Sequence, residues 1–314
     1  MTPAPEDIAL VLPGGGAWIY AQAAALEVLL KPAGLLGRIK GIYGNSAGSI
    51  STACLAHGIH NGVGTDTLMK ALALVHKDED IYTPGFSAIA RHPWAHPMNI
   101  ASICNSAVFG VSAFDQQPLW DLLQSHLGGL STGDVFAKTG VEVLARAFES
   151  GGRGGLVLNG ILWQMAAASS AIECAFKPFK GLSDGGPFDN CPVDLALARG
   201  FHRILIVYCG PDGPLPDLAP VLLDDKFPVG PQLLARQVAG NTLGKITQMN
   251  EALNDARLVP WVAEGGQLVE CYPAEDAPMG SILDFSDEAQ APRVAAGRTA
   301  ALQALAKAQL LGWF

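Results

Sequence analysis

Gly44-Asn45-Ser46-Ala47-Gly48 sets one serine between two glycines, where a short β-branched and aromatic run meets an alanine- and serine-rich run. Residues 38–43 read as a strand and 49–57 as the start of a helix, so Ser46 would stand on a very sharp turn. The residues two before and two after such a serine come close together, and glycine, lacking Cβ, is the type that fits. A hydroxyl held out at a strand end is suited to nucleophilic attack on an acyl carbon. The N–H of Ala47, at the helix N-terminus, would point to the oxygen that gains negative charge in that attack, where the helix dipole is favourable. In a chain with 36 glycines the pentapeptide alone is a weak signal, and its surroundings give it weight.

The preceding unit has the same plan. Residues 8–12 form an unbroken apolar run, as in a strand buried on both faces, followed by Pro13-Gly14-Gly15-Gly16 and an alanine-rich helical stretch to Leu30. Consecutive glycines let the backbone approach a ligand and leave N–H groups aimed inward. Pro13 has no N–H, so any donors come from the glycines. A phosphate cradle, the second half of an oxyanion hole and a plain tight turn all fit this loop. The rest of a nucleotide signature is missing: no Lys-Ser/Thr follows the glycines, Trp18 and Ile19 break a G-x-G-x-x-G pattern, and the second strand ends in the serine turn. In a parallel sheet the two strands would bring the glycine loop and Ser46 to the same edge.

Further along, residues 76–114 have poor periodicity and several prolines, as in either a lid or an ordinary irregular excursion. His92 and His96 lie four apart there, but the nearby prolines break a regular helix and no carboxylate or thiolate completes a metal set. Helical patterns follow at 114–127 and 163–171, a strand at 141–148, a helix at 193–199 ending at Gly200, and a buried strand at 203–208. Ser183-Asp184-Gly185-Gly186 reads locally as a turn. Beyond residue 210 come proline-rich loops, a helix over 233–256, a strand over 268–272 and a terminal helix over 295–311. The closing Leu310-Leu311-Gly312-Trp313-Phe314 either touches a membrane interface or packs back onto the domain.

These elements act within a composition that is 49% apolar and only 16% charged, enough for a large core. We read residues 1–314 as a single domain without a linker. The net charge of −9 and the absence of a basic run argue against nucleic acid and against electrostatic capture by anionic membrane. Any membrane contact would be apolar and transient. The first residues lack the pattern of a secretory signal, and apolar stretches are too short to span a bilayer. Six cysteines stand singly, without C-x-x-C pairs, as in a reduced, cytoplasmic protein.

Taken together, Gly14-Gly15-Gly16, Gly44-Asn45-Ser46-Ala47-Gly48 and Asp184-Gly185-Gly186 resemble the three signature blocks of the patatin-like phospholipase family. The similarity includes the alanine-serine block 168–178, Phe114-Asp115-Gln116-Gln117-Pro118-Leu119 and Asp189-Asn190-Cys191-Pro192-Val193, and so spans about residues 8–210; residues 211–314 carry no recognised motif. It implies a three-layer α/β/α fold with a mainly parallel central sheet. It further implies a lipase or phospholipase A-type ester hydrolase working through a serine-aspartate dyad, with a lipid or ester substrate and no cofactor or metal. By position Ser46 is then the nucleophile, Asp184 the base, and Gly14, Gly15 and Gly16 the oxyanion hole. The chain departs from the family pattern at Trp18 and Ile19, where a basic residue and a glycine are usual, and at Glu173, where proline is common.

Two rivals follow from the same residues. An α/β-hydrolase with a Ser-Asp-His triad also carries G-x-S-x-G, but the only histidine after Asp184 is His202, before a strand and at the wrong end of a parallel sheet. A catalytically silent member of the fold, binding lipid or a partner, is suggested by Trp18 and Ile19.

Overall fold

The computed structural model describes residues 2–31, 35–84, 114–149, 155–172, 176–211, 252–280, 282 and 284–314. Its chain begins with strand β1 (Ile8–Leu12), a 3-10 turn (Gly16–Trp18) and helix α1 (Ile19–Leu29). Strand β2 (Ile39–Asn45) leads through Ser46 into α2 (Ala47–Asn61), then α3 (Asp66–Leu72). After a small two-stranded ribbon at Thr83–Pro84 and Phe114–Asp115 come α4 (Gln117–Leu127) and α5 (Thr132–Thr139). Next follow β3 (Glu142–Glu149), β4 (Gly155–Leu158), α6 (Leu162–Ser169) and β5 (Leu182–Asp184). The chain closes with α7 (Val193–Ala198), β6 (Arg203–Val207), β7 (Gln267–Cys271) and α8 (Asp287–Leu310).

The central sheet runs β4-β3-β2-β1-β6-β7, with β5 pairing on β3. β1 is parallel to both β2 and β6, β2 to β3, and β6 to β7; β4 and β5 are antiparallel to β3. The mainly parallel sheet agrees with the expected fold class. It follows from the sequence pattern: β1 is buried along its whole length, as a strand covered by helices on both faces must be. Alternation along β1 sends Ile8, Leu10 and Leu12 into one core with α1, α2 and α8, while Ala9 and Val11 enter a second core with α7 and Phe201. The order passes from β1 to β2 on one side and from β1 to β6 on the other. The carboxyl end of β1 is therefore a switch point, where open α/β sheets leave a crevice.

The chain after residue 210 completes this frame. β7 extends the sheet, and α8 lays Ala300, Ala301 and Ala304 into the main core against α1. This helix begins at Asp287, eight residues before the start expected from sequence, and carries Pro292 inside it. The C-terminal tip packs back: Trp313 is fully buried, its indole Nε1 donates to Gln267 Oε1 at 2.8 Å, and Arg38 donates to its carbonyl at 2.6 Å. Of the helix expected over 233–256, residues 233–251 lie outside the described residues, as do His92, His96 and most of the 76–114 stretch. The described end of that helix continues to residue 263. Cys54, Cys191, Cys209 and Cys271 are buried free thiols. No helix among the described residues is long and apolar enough to cross a membrane.

Candidate active site

Ser46 terminates β2 and caps α2 with φ +50° and ψ −127°, a backbone region that non-glycine residues avoid. The sharp turn needs its glycines for lack of room: a Cβ on Gly44 would lie 2.6 Å from the Gly48 carbonyl oxygen, and one on Gly48 would run into the Leu12 carbonyl. Strain of this kind costs on the order of 1–3 kcal/mol and persists only where surrounding contacts impose it. Those contacts are visible. The Ser46 N–H donates to Ser169 Oγ at 3.0 Å, and Ser49 Oγ donates to the Ser46 carbonyl at 2.6 Å.

The aspartate arrives by a change of partner along one edge of β3. That edge pairs with β2 as far as Asn45 opposite Arg146; β2 then leaves the sheet at Ser46. The next place on the edge, opposite Ala147, is taken by Asp184 from antiparallel β5. One strand ends at the serine and the other at the aspartate, so the two side chains meet. Asp184 is almost fully buried, 4% exposed. Burial raises its carboxyl pKa from the ordinary 3.8 to about 6, against the opposing hydrogen bonds from the Ser46 hydroxyl, the Gly186 N–H and the Asn45 amide. The Gly186 bond is 2.8 Å and the Asn45 bond 3.4 Å. The local turn reading of Asp184-Gly185-Gly186 is thus replaced by a strand end that passes directly into a short helix, Gly186–Asp189.

The glycine loop lies against the serine turn. A Cβ on Gly14 would stand 2.6 Å from Ser46 Cβ. The Gly14 N–H, however, faces Asn190, at 3.2 Å from Oδ1 and 3.4 Å from its carbonyl. Its donor is occupied, which removes it from the open set expected on sequence. No acceptor among the described residues takes the N–H of Gly15, Gly16 or Ala47. Gly16 and Ala47 join Ser46 in the wall of one cavity.

Asn45, Asn190 and Ser169 belong to the site; the sequence placed them in blocks that carry the resemblance but gave none of them a role. Asn190 Oδ1 accepts from both Gly14 N–H and Asn45 Nδ2, the latter at 3.1 Å, and Asn45 also reaches Asp184. These two asparagines join the glycine loop, the serine turn and the aspartate turn in one network. Behind it, Arg146 pairs with Asp194 and lies 3.8 Å from Asp189, anchoring the helix that carries Asn190. Burial, together with the nearby Asp194 carboxylate, raises the Asp189 pKa.

Trp18 and Ile19 do not obstruct the loop. Trp18 is buried and donates from Nε1 to the Gly280 carbonyl at 3.0 Å, while Ile19 lines the cavity. A cation does reach the loop, but from α8. Arg293, fully buried, donates to the carbonyls of Met279 at 2.7 Å, Asp284 at 2.5 Å and Ala17 at 3.4 Å. The Ala17 N–H in turn donates to the Ile282 carbonyl at 2.7 Å. Replacing Arg293 by methionine leaves these carbonyls without their donor. We expect it to lower the unfolding free energy by roughly 3 kcal/mol, read as a lower urea midpoint at unchanged slope; an unchanged midpoint would show that the clamp contributes nothing.

The cavity beside Ser46 has a mainly apolar wall, with Ile50, Leu68, Leu72, Leu119 and Leu123 among its side chains. An apolar lining of this kind suits an alkyl chain. His202, by contrast, precedes β6 and so stands at the opposite edge of the sheet from Ser46, roughly 17 Å of strand away. No group of three or more His, Cys, Asp or Glu side chains that could hold a metal occurs among the described residues.

A nucleophile-type serine turn, a buried carboxylate and a greasy cavity at the switch point of a parallel sheet define a class of acyl hydrolases. The chain belongs to the patatin-like phospholipase family, whose model matches residues 10–197, more than half of the 314 residues. This is a family of lipid acyl hydrolases acting on lipid substrates. Among solved structures, the chain is similar to VipD from Legionella pneumophila, with 15% identity and a TM-score of 0.43 over 97% of this chain and 67% of that one. It is also similar to human GIVD cytosolic phospholipase A2 in complex with methyl gamma-linolenyl fluorophosphonate, with 12% identity and a TM-score of 0.41 over 98% of this chain and 60% of that one. For the type III effector protein ExoU the identity is 17% and the TM-score 0.32, over 80% and 54%. The chain thus spans between 54% and 67% of the lengths of these proteins. No curated protein matches it.

Proposed function

We propose that the protein is a serine acyl-ester hydrolase of the lipase or phospholipase A type, with Ser46 as nucleophile and Asp184 as its general base. The observation that carries this reading is the succession of β2 and β5 on one edge of β3, which brings Ser46 and the buried Asp184 together, the serine hydroxyl acting on the carboxylate against the effect of burial. Asp184 takes the Ser46 proton as Oγ attacks the ester carbonyl. The tetrahedral oxyanion is held by the N–H groups of Gly15, Gly16 and Ala47. Collapse expels the alkoxide, which receives the proton from Asp184 and leaves an acyl-enzyme; water, activated by the same carboxylate, releases the acid. A carboxylate with a pKa near 6 is a stronger base than an ordinary one and is still ionised at neutral pH. Substrates are lipid esters whose acyl chain fills the cavity, and apolar contact with a lipid interface is transient.

The test is hydrolysis of p-nitrophenyl and phospholipid esters across pH. Activity as kcat/KM should rise through about pH 6, as Asp184 in the free enzyme loses its proton, and then level off. A flat profile from pH 4 to 8 would remove Asp184 as the base. A second expectation concerns the loop: Gly15→Val drives a side chain into Cys209 and displaces the open N–H groups. The rate should fall by about 10²–10³ while the protein stays folded by circular dichroism; unaltered turnover would take the loop out of the mechanism.

A further inference from the structure

The glycine loop and the aspartate turn reach the same atom. Asn190 Oδ1 accepts from the Gly14 N–H at 3.2 Å and from Asn45 Nδ2 at 3.1 Å. The loop side of this junction is tight. A Cβ on Gly14 would stand 2.6 Å from Ser46 Cβ and 2.7 Å from Asn190 Oδ1, so Gly14 is wedged between the serine and that oxygen. On the other side Asn45, fully buried, uses its amide nitrogen twice: toward Asn190 Oδ1, and at 3.4 Å toward Asp184 Oδ1. Its own oxygen has no hydrogen-bond partner among the described residues and packs over Gly185, where a Cβ would lie 2.5 Å away. The Asn45 amide is therefore held through its nitrogen, and the bond to Asn190 is the shorter of the two.

We infer that Asn190 is a positioning residue that ties the oxyanion donors to the general base. One side-chain oxygen seats Gly14, which sets the direction of the open N–H groups after it, and turns the Asn45 amide toward Asp184. Asn190 touches neither the substrate nor the reacting atoms. The inference rests on the acyl-hydrolase reading for the roles of the loop and of Asp184. The groups that act on the Asp184 carboxyl are Ser46, the Gly186 N–H and Asn45, while Arg146, Asp189, Asp194 and Arg257 pair with one another behind Asn190. Loosening the Asn45 bond removes an interaction that favours the ionised carboxylate, so the Asp184 titration moves up.

The test follows the Asp184 carboxyl carbon by NMR across pH, together with p-nitrophenyl ester hydrolysis, on the full chain as wild type, Asn190→Ala, Asn45→Ala and the double variant. Asn190→Ala should lower kcat by about 10²-fold with KM within about twofold, the mark of misplaced groups rather than lost substrate contacts. It should also raise the Asp184 midpoint by about half a pH unit. Asn45→Ala should raise that midpoint to the same degree and the double variant no further, because both residues act through one bond. Asn190→Ser, too short to reach both donors, takes the place of Asn190→Ala if the alanine variant does not fold. An unchanged midpoint or an unchanged kcat in the folded variant overturns the inference, as do midpoint shifts that add in the double variant. The resonance is read whether or not an ester is cleaved. The expected shifts in a protein that hydrolyses nothing refute the hydrolase reading alone, and an active hydrolase whose Asp184 ignores Asn190 refutes this inference alone.

Discussion

Ser46→Ala should reduce ester hydrolysis by about 10⁴-fold or more, to the residual rate that binding and oxyanion donors sustain without a nucleophile. The size of the effect follows from the absence of a substitute. Ser49 and Ser169 lie nearby, but the Ser49 hydroxyl is bonded to the Ser46 carbonyl and Ser169 Oγ accepts the Ser46 N–H. The fold should survive, because the turn is imposed by the glycines and by these backbone bonds rather than by the Ser46 hydroxyl. Retained circular dichroism with activity within tenfold of wild type would show that the serine turn is not where the chemistry happens.

Asp184→Asn carries the second large effect, and it has two signs. The rate should drop by roughly 10³–10⁴ because the amide cannot take the serine proton. Stability should move the other way. Burial raises the folded-state pKa of Asp184 from 3.8 to about 6, so between those values the folded state holds a proton that the unfolded state has lost. Unfolding free energy therefore falls as pH rises through that window, and the cost is fully present above about pH 6. Asparagine removes it. The variant should be more stable than wild type by on the order of 3 kcal/mol at pH 8, with the difference fading toward pH 4. Denaturation at the two pH values decides the matter: a variant destabilised equally at both would mean that the carboxylate is a structural group and not a base held at a cost.

The frame of this site was legible where local sequence and global fold say the same thing. Residues 8–12 read as a strand because a strand covered on both faces is a continuous apolar run, and 38–43 because of its β-branched and aromatic residues, while the glycines around Ser46 mark a turn with no room for side chains. Asp184 was not legible locally. It ends a three-residue strand whose place is set by a ladder to residues 147–149, so no period reveals it and only resemblance pointed there. β4 was missed for a similar reason, since Gly155, Leu156 and Val157 are exposed and give no buried pattern. The start of α8 was hidden by Pro292, which stands inside the helix, where a residue without an N–H reads as a break.

The donors and clamps were the least legible part. Gly14, Gly15 and Gly16 look equivalent in sequence, yet Asn190 occupies one of the three N–H groups, and that bond joins residues 176 positions apart. Arg293 lies far outside the matched segment and serves the glycine loop from the last helix. Trp18, which suggested a silent protein, fits because Gly210 leaves its ring a buried place beside the loop and the Gly280 carbonyl accepts its N–H. Partners of this kind are fixed by tertiary packing, and a single sequence carries no local sign of them.

The central claim is that Ser46 is an activated nucleophile. Intact-mass spectrometry of the protein after a fluorophosphonate probe, on wild type and Ser46→Ala with and without detergent, tests it without presupposing a substrate. The account predicts one adduct on wild type and none on the variant. No adduct on folded wild type in either condition, or an adduct that persists in Ser46→Ala, would contradict it.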